Sequence, residues 1–179
     1  IGLNELLFVK HAPPVVARES HPCLTGDGSA FDAYISFSSA GNKKGFIGIE
    51  VKYHENLIGA ASPHKDRYDQ IADQMGCFKE SNREDLKAQP LQQIWRNHLL
   101  AEVHRIADGF EEGFFVFLYP EKNTYCSSAV ADYKRCLTNT DTFASWTIES
   151  VVRAIKRCTD DPWIDRFIDR YLAFEKVAT

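Results

Sequence analysis

The chain has 179 residues, a length suited to one domain with a sizeable core. Its 44% hydrophobic and 26% charged content belongs to a globular protein and excludes a disordered or fibrous one. A net charge of −4 lacks the basic balance usual in a nucleic-acid-binding domain, although short clusters such as Lys43, Lys44 and Lys52 remain.

No apolar run approaches the ~18 residues of a membrane span, so no membrane partner is expected. No signal-peptide pattern opens the chain. The five cysteines are odd in number, scattered and without a CxxC, which points to reduced thiols in a cytoplasmic protein rather than to disulfides or zinc. Ile1 stands where a Met would start a complete chain, so a fragment is expected.

In chain order, residues 1–30 mix a short apolar stretch with the breakers Pro13, Pro14, Pro22, Gly26 and Gly28. "AFDAYISF", 30–37, alternates and predicts a strand. "AGNKKG", 40–45, predicts a turn, and "FIGIEVKY", 46–53, a second strand. A helix is predicted over 63–75, with Pro63 near its first turn and Gly76 after its end. A longer helix is predicted over 89–109, followed by an apolar strand over 113–120 that is buried on both faces. A helix near 125–137, a short strand "TFASWT" and helices near 148–158 and 161–175 complete the chain. The expected fold is α/β: one domain over 1–179, with a core at about 30–147, C-terminal helices over 148–175 and a mixed β-sheet between helical layers.

Side chains alternate along a strand. Ala33, Ile35 and Phe37 share one face of the first strand, and Ile47, Ile49 and Val51 one face of the second. With both apolar rows on the core, Asp32, Glu50 and Lys52 fall together on the opposite, wet face. A turn centred on Gly41–Lys43 sets Asp32 across from Lys52 and Tyr34 across from Glu50. Asp32 and Glu50 are then diagonal neighbours, roughly 7–8 Å apart, close enough to share one hard cation. A solvated face with scattered charges explains the same pattern more plainly. Two residues argue against that reading: Asp32 is a poor strand former, and Gly48, on the same face as Glu50, marks a close approach.

On the long helix, Leu91, Trp95, Leu99, Val103 and Ile106 form an expected buried stripe. Gln92 and Arg96, four apart on one edge of it, can reach a site or a phosphate; Gln93, Asn97 and His104 lie further round. His98 falls on the rear and reads as structural, His54 as a strand-end surface residue, and Trp95, Trp146 and Trp163 as core.

An Asp in one strand followed by "EVK", 50–52, at the end of the next resembles the PD-(D/E)XK nuclease superfamily. "GIEVKYHE" with "LQQIWRNHLL" is similar to an uncharacterised bacterial subfamily of it, over about residues 30–147. Phe31 stands where the motif's Pro would precede Asp32. The resemblance implies a restriction-endonuclease-like three-layer sandwich and a deoxyribonuclease. Asp32 and Glu50 would hold Mg²⁺ (or Mn²⁺) with the Val51 backbone carbonyl, Lys52 would orient water and stabilise charge, and Gln92 and Arg96 would neighbour the site, with Gln93 as a further candidate. A further acid is expected on an N-terminal helix, with Glu5 preferred over Glu19. DNA is the implied substrate, with Lys43, Lys44 and Lys65 forming a basic rim. Oligomeric state is left open, a homodimer included. The alternatives are an inactive nucleic-acid- or protein-binding module on the same fold, favoured by the acidic total charge, and a small-molecule hydrolase with the same metal pair.

Overall fold

A computed structural model describes Thr25 and residues 28–39 and 41–176. Its four-stranded sheet has the spatial order β1 (Ala33–Ser38), β2 (Lys44–Val51), β3 (Glu112–Tyr119) and β4 (Phe143–Thr147). β1 is antiparallel to β2; β3 and β4 run parallel to β2. Between β2 and β3 lie α1 (Asp66–Met75), the short α2 (Arg83–Leu86) and α3 (Leu91–Ala107), and α4 (Thr124–Arg135) joins β3 to β4. α5 (Ile148–Lys156) and α6 (Trp163–Tyr171) follow β4. Spatial order follows chain order from β2 to β4, so two crossovers of one hand leave their helices on a single face.

Residues of α1–α4 share one core with Tyr34, Phe46, Phe115 and Phe117 of the sheet. Ile47, Ile49, Phe114 and Val116 form a smaller cluster on the other face. It adjoins Ile148, Val152 and Ile164 of α5 and α6 through Leu118. Helices therefore stand on both sides of a mixed sheet, as the sequence leads one to expect. The helix stops hold as well: Gly76, at φ 63°, closes α1 with its N–H on the Ala72 carbonyl at 3.1 Å, and Gly109, at φ 68°, follows α3. Among the described residues no helix is long and apolar enough to cross a membrane.

The structure corrects several expectations. The β1–β2 ladder pairs Tyr34 with Gly48 and Ala33 with Ile49, so the hairpin centres on Gly41. That is one residue earlier than expected, and it slides the register by two, which preserves the faces. The wet face is also reassigned. Tyr34, Phe46 and Glu50 point towards α3 and the larger core, and Glu50 is only 5% exposed. Ala33, Ile35 and Phe37 are the half-buried row. Periodicity separates two faces; it does not say which one a later helix covers.

Gly48 does mark a close approach, but by the protein itself. A Cβ there would lie 2.5 Å from the Phe31 ring. That ring packs against Phe46 and Phe115, and so fixes the backbone immediately before Asp32.

α3 is buried nearly all round, between the sheet, α1 and α4. Leu91, Trp95, Leu99 and Val103 are buried as expected, but so are Ile94, Leu100 and Ala101, while Ile106 is 56% exposed. Trp95 is core; Trp163 is exposed. His98 is fully buried, with Nδ1 2.8 Å from the Tyr133 hydroxyl and Nε2 2.8 Å from Thr142 Oγ1. Burial pushes its pKa down to about 3.

Two stability predictions follow from this packing. Gly48→Ala should lower the unfolding free energy by about 1–3 kcal/mol, the usual cost of overpacking a filled core, as read by urea denaturation. His98 binds its proton more weakly folded than unfolded, so its contribution is complete above pH ~6.5 and is lost as pH falls towards 3. Wild type should lose about 2 kcal/mol more than His98→Gln between pH 7 and pH 5. Equal slopes for the two proteins would show that His98 does not carry the effect.

Candidate active site

β1 and β2 bring Asp32, Glu50 and Lys52 to one end of the sheet. One step beyond the Ala33–Ile49 pair, Asp32 comes level with Glu50. The Asp32 N–H donates to the Ile49 carbonyl at 2.9 Å, and its Oδ2 accepts the Val51 N–H at 2.8 Å. The carboxylate thus takes the place of a backbone acceptor where the ladder ends, which gives a poor strand former a reason to stand there. Its Oδ1 bonds to none of the described residues. Lys52 N–H donates to Leu118 of β3 at 2.9 Å, so the next residue back, Val51, directs its N–H and C=O towards β1 and Asp32.

Glu50 Oε1 receives two donors, Lys52 Nζ at 2.7 Å and Gln93 Nε2 at 2.8 Å. Burial raises the Glu50 pKa; the hydrogen bond and charge of Lys52 pull it back, the charge of Asp32 pushes it up again, and Asn97 adds a stabilising hydrogen bond. The net direction is up. Burial works against the Lys52 ammonium too, but its bond to Glu50 outweighs this and its pKa is raised. Both partners move up because Glu50 is the deeper of the two and also faces Asp32.

These groups open on a cavity of about 620 Å³, lined by Asp32, Glu50, Lys52, Glu55, Gln93 and Arg96 among others. Glu55 is a site acid that the sequence reading missed. Its Oε2 accepts the N–H groups of Tyr53 at 2.8 Å and His54 at 3.0 Å. Burial alone would raise its pKa, but these backbone bonds hold it below the ordinary carboxylate range.

The segment after β2 forms a wall of the cavity and is pinned at both ends. Asn123, the N-cap of α4, donates to the carbonyls of Glu55 at 3.1 Å and Tyr53 at 3.4 Å. At the other end the Gln92 amide clasps the Ser62 backbone, accepting from its N–H and donating to its carbonyl, each at 2.7 Å. Arg96 reaches Ser62 Oγ at 2.7 Å and Ser29 Oγ at 3.0 Å. Gln92 and Arg96 do share one edge of α3, as expected, but that edge grips the wall. The edge that meets Glu50 lies one residue further on, at Gln93 and Asn97. Gln93 and Asn97 are themselves an i, i+4 pair, but the buried arc of α3 is wider than one stripe, so counting from a single stripe favours the neighbouring edge.

Lys43 and Lys44 lie at the turn end of the hairpin, about 20 Å of strand from Glu50, and cannot rim this cavity. Lys65, the N-cap of α1, does not line it either. His54 faces away from it, into a neighbouring hollow. Glu5 and Glu19 fall outside the described residues. Among the described residues no three His, Cys, Asp or Glu side chains cluster as metal ligands. The donors at hand are all hard oxygens: Asp32, Glu50 and the Val51 carbonyl. Two carboxylates level across the hairpin, one of them raised by burial and further by the charge of the other, suit a small divalent cation that keeps several of its own waters.

A family model for the PD-(D/E)XK nuclease superfamily matches residues 7–173. No curated protein and no solved structure matches the chain.

The electrostatics predict opposite responses at one carboxyl. Followed by NMR titration, Glu50 should protonate above the ordinary carboxylate value. Asp32→Asn should bring it down by removing the facing charge, and Lys52→Met should send it further up. A Glu50 that titrates normally and responds to neither change would mean that the two carboxylates do not sense each other.

Proposed function

The chain belongs to the PD-(D/E)XK nuclease superfamily, and on that premise we propose that it hydrolyses phosphodiester bonds in DNA, using Mg²⁺ or Mn²⁺ held by Asp32 and Glu50. One observation carries the reading. The Asp32 carboxylate is fastened to the Val51 N–H, beside the buried Glu50–Lys52 pair and at the wall of an open cavity.

In this reading Asp32 and Glu50 each contribute a carboxylate oxygen, and the Val51 carbonyl contributes a third. When bound, the cation supplies Lewis-acid stabilisation of a phosphoryl oxygen and a lowered pKa for a water. Lys52 is charged and half-buried, and it holds an ammonium where negative charge develops on the phosphorane and where an attacking water can be oriented. Gln93 and Asn97 are positioning residues, because they fix the Glu50 carboxylate without touching the reacting atoms. Gln92 acts at one remove through Ser62, and Arg96 presents a tethered guanidinium at the cavity wall that can meet a phosphate.

The rival reading, a binding module without activity, has one observation in its favour: Lys52 and Gln93 already satisfy Glu50 Oε1 without a cation. Calorimetric titration with Mn²⁺ separates the two, since an active pair must bind the metal.

The test of activity is incubation with plasmid, linear duplex and single-stranded DNA, with Mg²⁺ or Mn²⁺ and with EDTA. Asp32→Asn and Glu50→Ala should abolish cleavage, and EDTA should do the same. Lys52→Ala should keep metal binding but lose roughly 10²–10³ in rate, the scale of a lost transition-state charge contact. Cleavage unchanged in all three variants would place any activity elsewhere.

A further inference from the structure

Next to the acidic cavity is a second hollow of about 310 Å³, lined by Tyr53, His54, Lys122, Tyr125 and Phe174 among others. One short segment divides the two. Lys52 and Glu55 line the acidic side, and Tyr53 and His54 line the other. The Asn123 bonds to the Tyr53 and Glu55 carbonyls hold this partition.

The second hollow has a different chemistry, made of rings and a cation. Tyr53 and Phe174 stack with centroids 6.2 Å apart and planes 26° apart. The Tyr53 hydroxyl donates to the Tyr171 carbonyl at the end of α6, which holds the ring in place. Lys122 Nζ lies 5.1 Å from the centre of the Phe174 ring. Tyr125 is 61% exposed and has no ring partner among the described residues. A large exposed ring beside a lysine and a stacked pair is the make-up of a platform for bases, with the cation for the backbone.

The spacing ties this platform to the acidic site. From Lys52 to His54 the chain advances at most about 7 Å, or roughly two nucleotide rises along a stacked strand. A strand that crosses the dividing segment from a phosphate at Lys52 brings its next one or two bases to Tyr53 and His54, which line the same hollow as Tyr125. Bases inside a duplex already have both faces covered, so only an unstacked base can lie on a side chain. We propose that this hollow takes an unpaired base next to the reacting phosphate, so that the substrate is a single strand, an overhang or a frayed end rather than continuous duplex. The proposal rests on the nuclease reading above.

The test measures binding and cleavage separately. Binding to the Asp32→Asn protein in EDTA is followed by fluorescence anisotropy. The probes are labelled single-stranded DNA, its RNA counterpart, a duplex with an overhang and a blunt duplex. The two strands with free bases and the overhang should bind more tightly than the blunt duplex. Tyr125→Ala should weaken them by about 5- to 160-fold, the range for losing one base–aromatic stack. Tyr125→Phe should restore binding, and blunt-duplex affinity should be unaffected by either change. Lys122→Ala should flatten the single-strand salt slope by about 0.7. DNA and RNA arms that differ would say which strand is held. Equal binding by Tyr125→Ala and its parent, or a preference for the blunt duplex, overturns the proposal. Asp32-dependent cleavage with no Tyr125 effect would leave the nuclease and remove the platform. Tyr125-dependent binding with no cleavage would leave the platform and remove the nuclease.

Discussion

A carboxylate 5% exposed at the end of a sheet strand needs partners, because an uncompensated buried charge costs several kcal/mol. Glu50 obtains its counter-charge from Lys52, two residues on and on the same face, which is the shortest supply a strand allows. That does not fill the remaining hydrogen-bonding demand, so α3 must lie where Gln93 and Asn97 can reach the same carboxyl. The position of α3 then decides the rest. Its neighbouring edge, Gln92 and Arg96, grips Ser62, and this sets the wall of the cavity. Phe31, seated in the space that Gly48 leaves open, completes the arrangement by delivering Asp32 to Val51.

The charges around the cavity do not balance. Its charged lining is Asp32, Glu50 and Glu55 against Lys52 and Arg96. A phosphate approaching this excess of acid meets repulsion that the whole chain, at −4, does nothing to offset. Attraction for a polyanion must therefore be local, through Lys52 and Arg96 inside the cavity, Lys122 in the adjoining hollow, and any cation the two carboxylates hold. The upward shift of Glu50, caused first by burial, also draws on this excess, since the charge of Asp32 opposite adds to it.

Much of this could be read from the sequence because strand alternation is a strict rule of two. It put Asp32, Glu50 and Lys52 on one face although the turn was centred one residue late. What alternation could not supply was the third dimension. Two apolar rows, Ile47–Ile49–Val51 and Ala33–Ile35–Phe37, look like the core side until a helix carrying Trp95 and Leu99 settles on the other side. The helix was readable as a helix, with its Pro and Gly at the ends, but not in its rotation. A helix buried nearly all round gives no single stripe from which to count, and a one-residue error turns it by 100°, which is the distance between Gln92 and Gln93. Glu55 was hidden for a different reason: the strand stops at Val51, and beyond it no period says where a side chain points.

The tolerance of the hairpin to changes in length follows from the same pairing. Asp32 and Glu50 stand level only while six pairs, from Ala33–Ile49 to Ser38–Lys44, stay in step. Losing or gaining one residue inside either strand turns an acid to the far side of the sheet and drives an apolar row out of its cluster. The same change in the turn, where Ser39 and Lys43 close the loop at 2.9 Å, can be taken up as slack beyond the last pair. A lineage that keeps this site can therefore lengthen or shorten the hairpin more freely at its tip than within its paired strands.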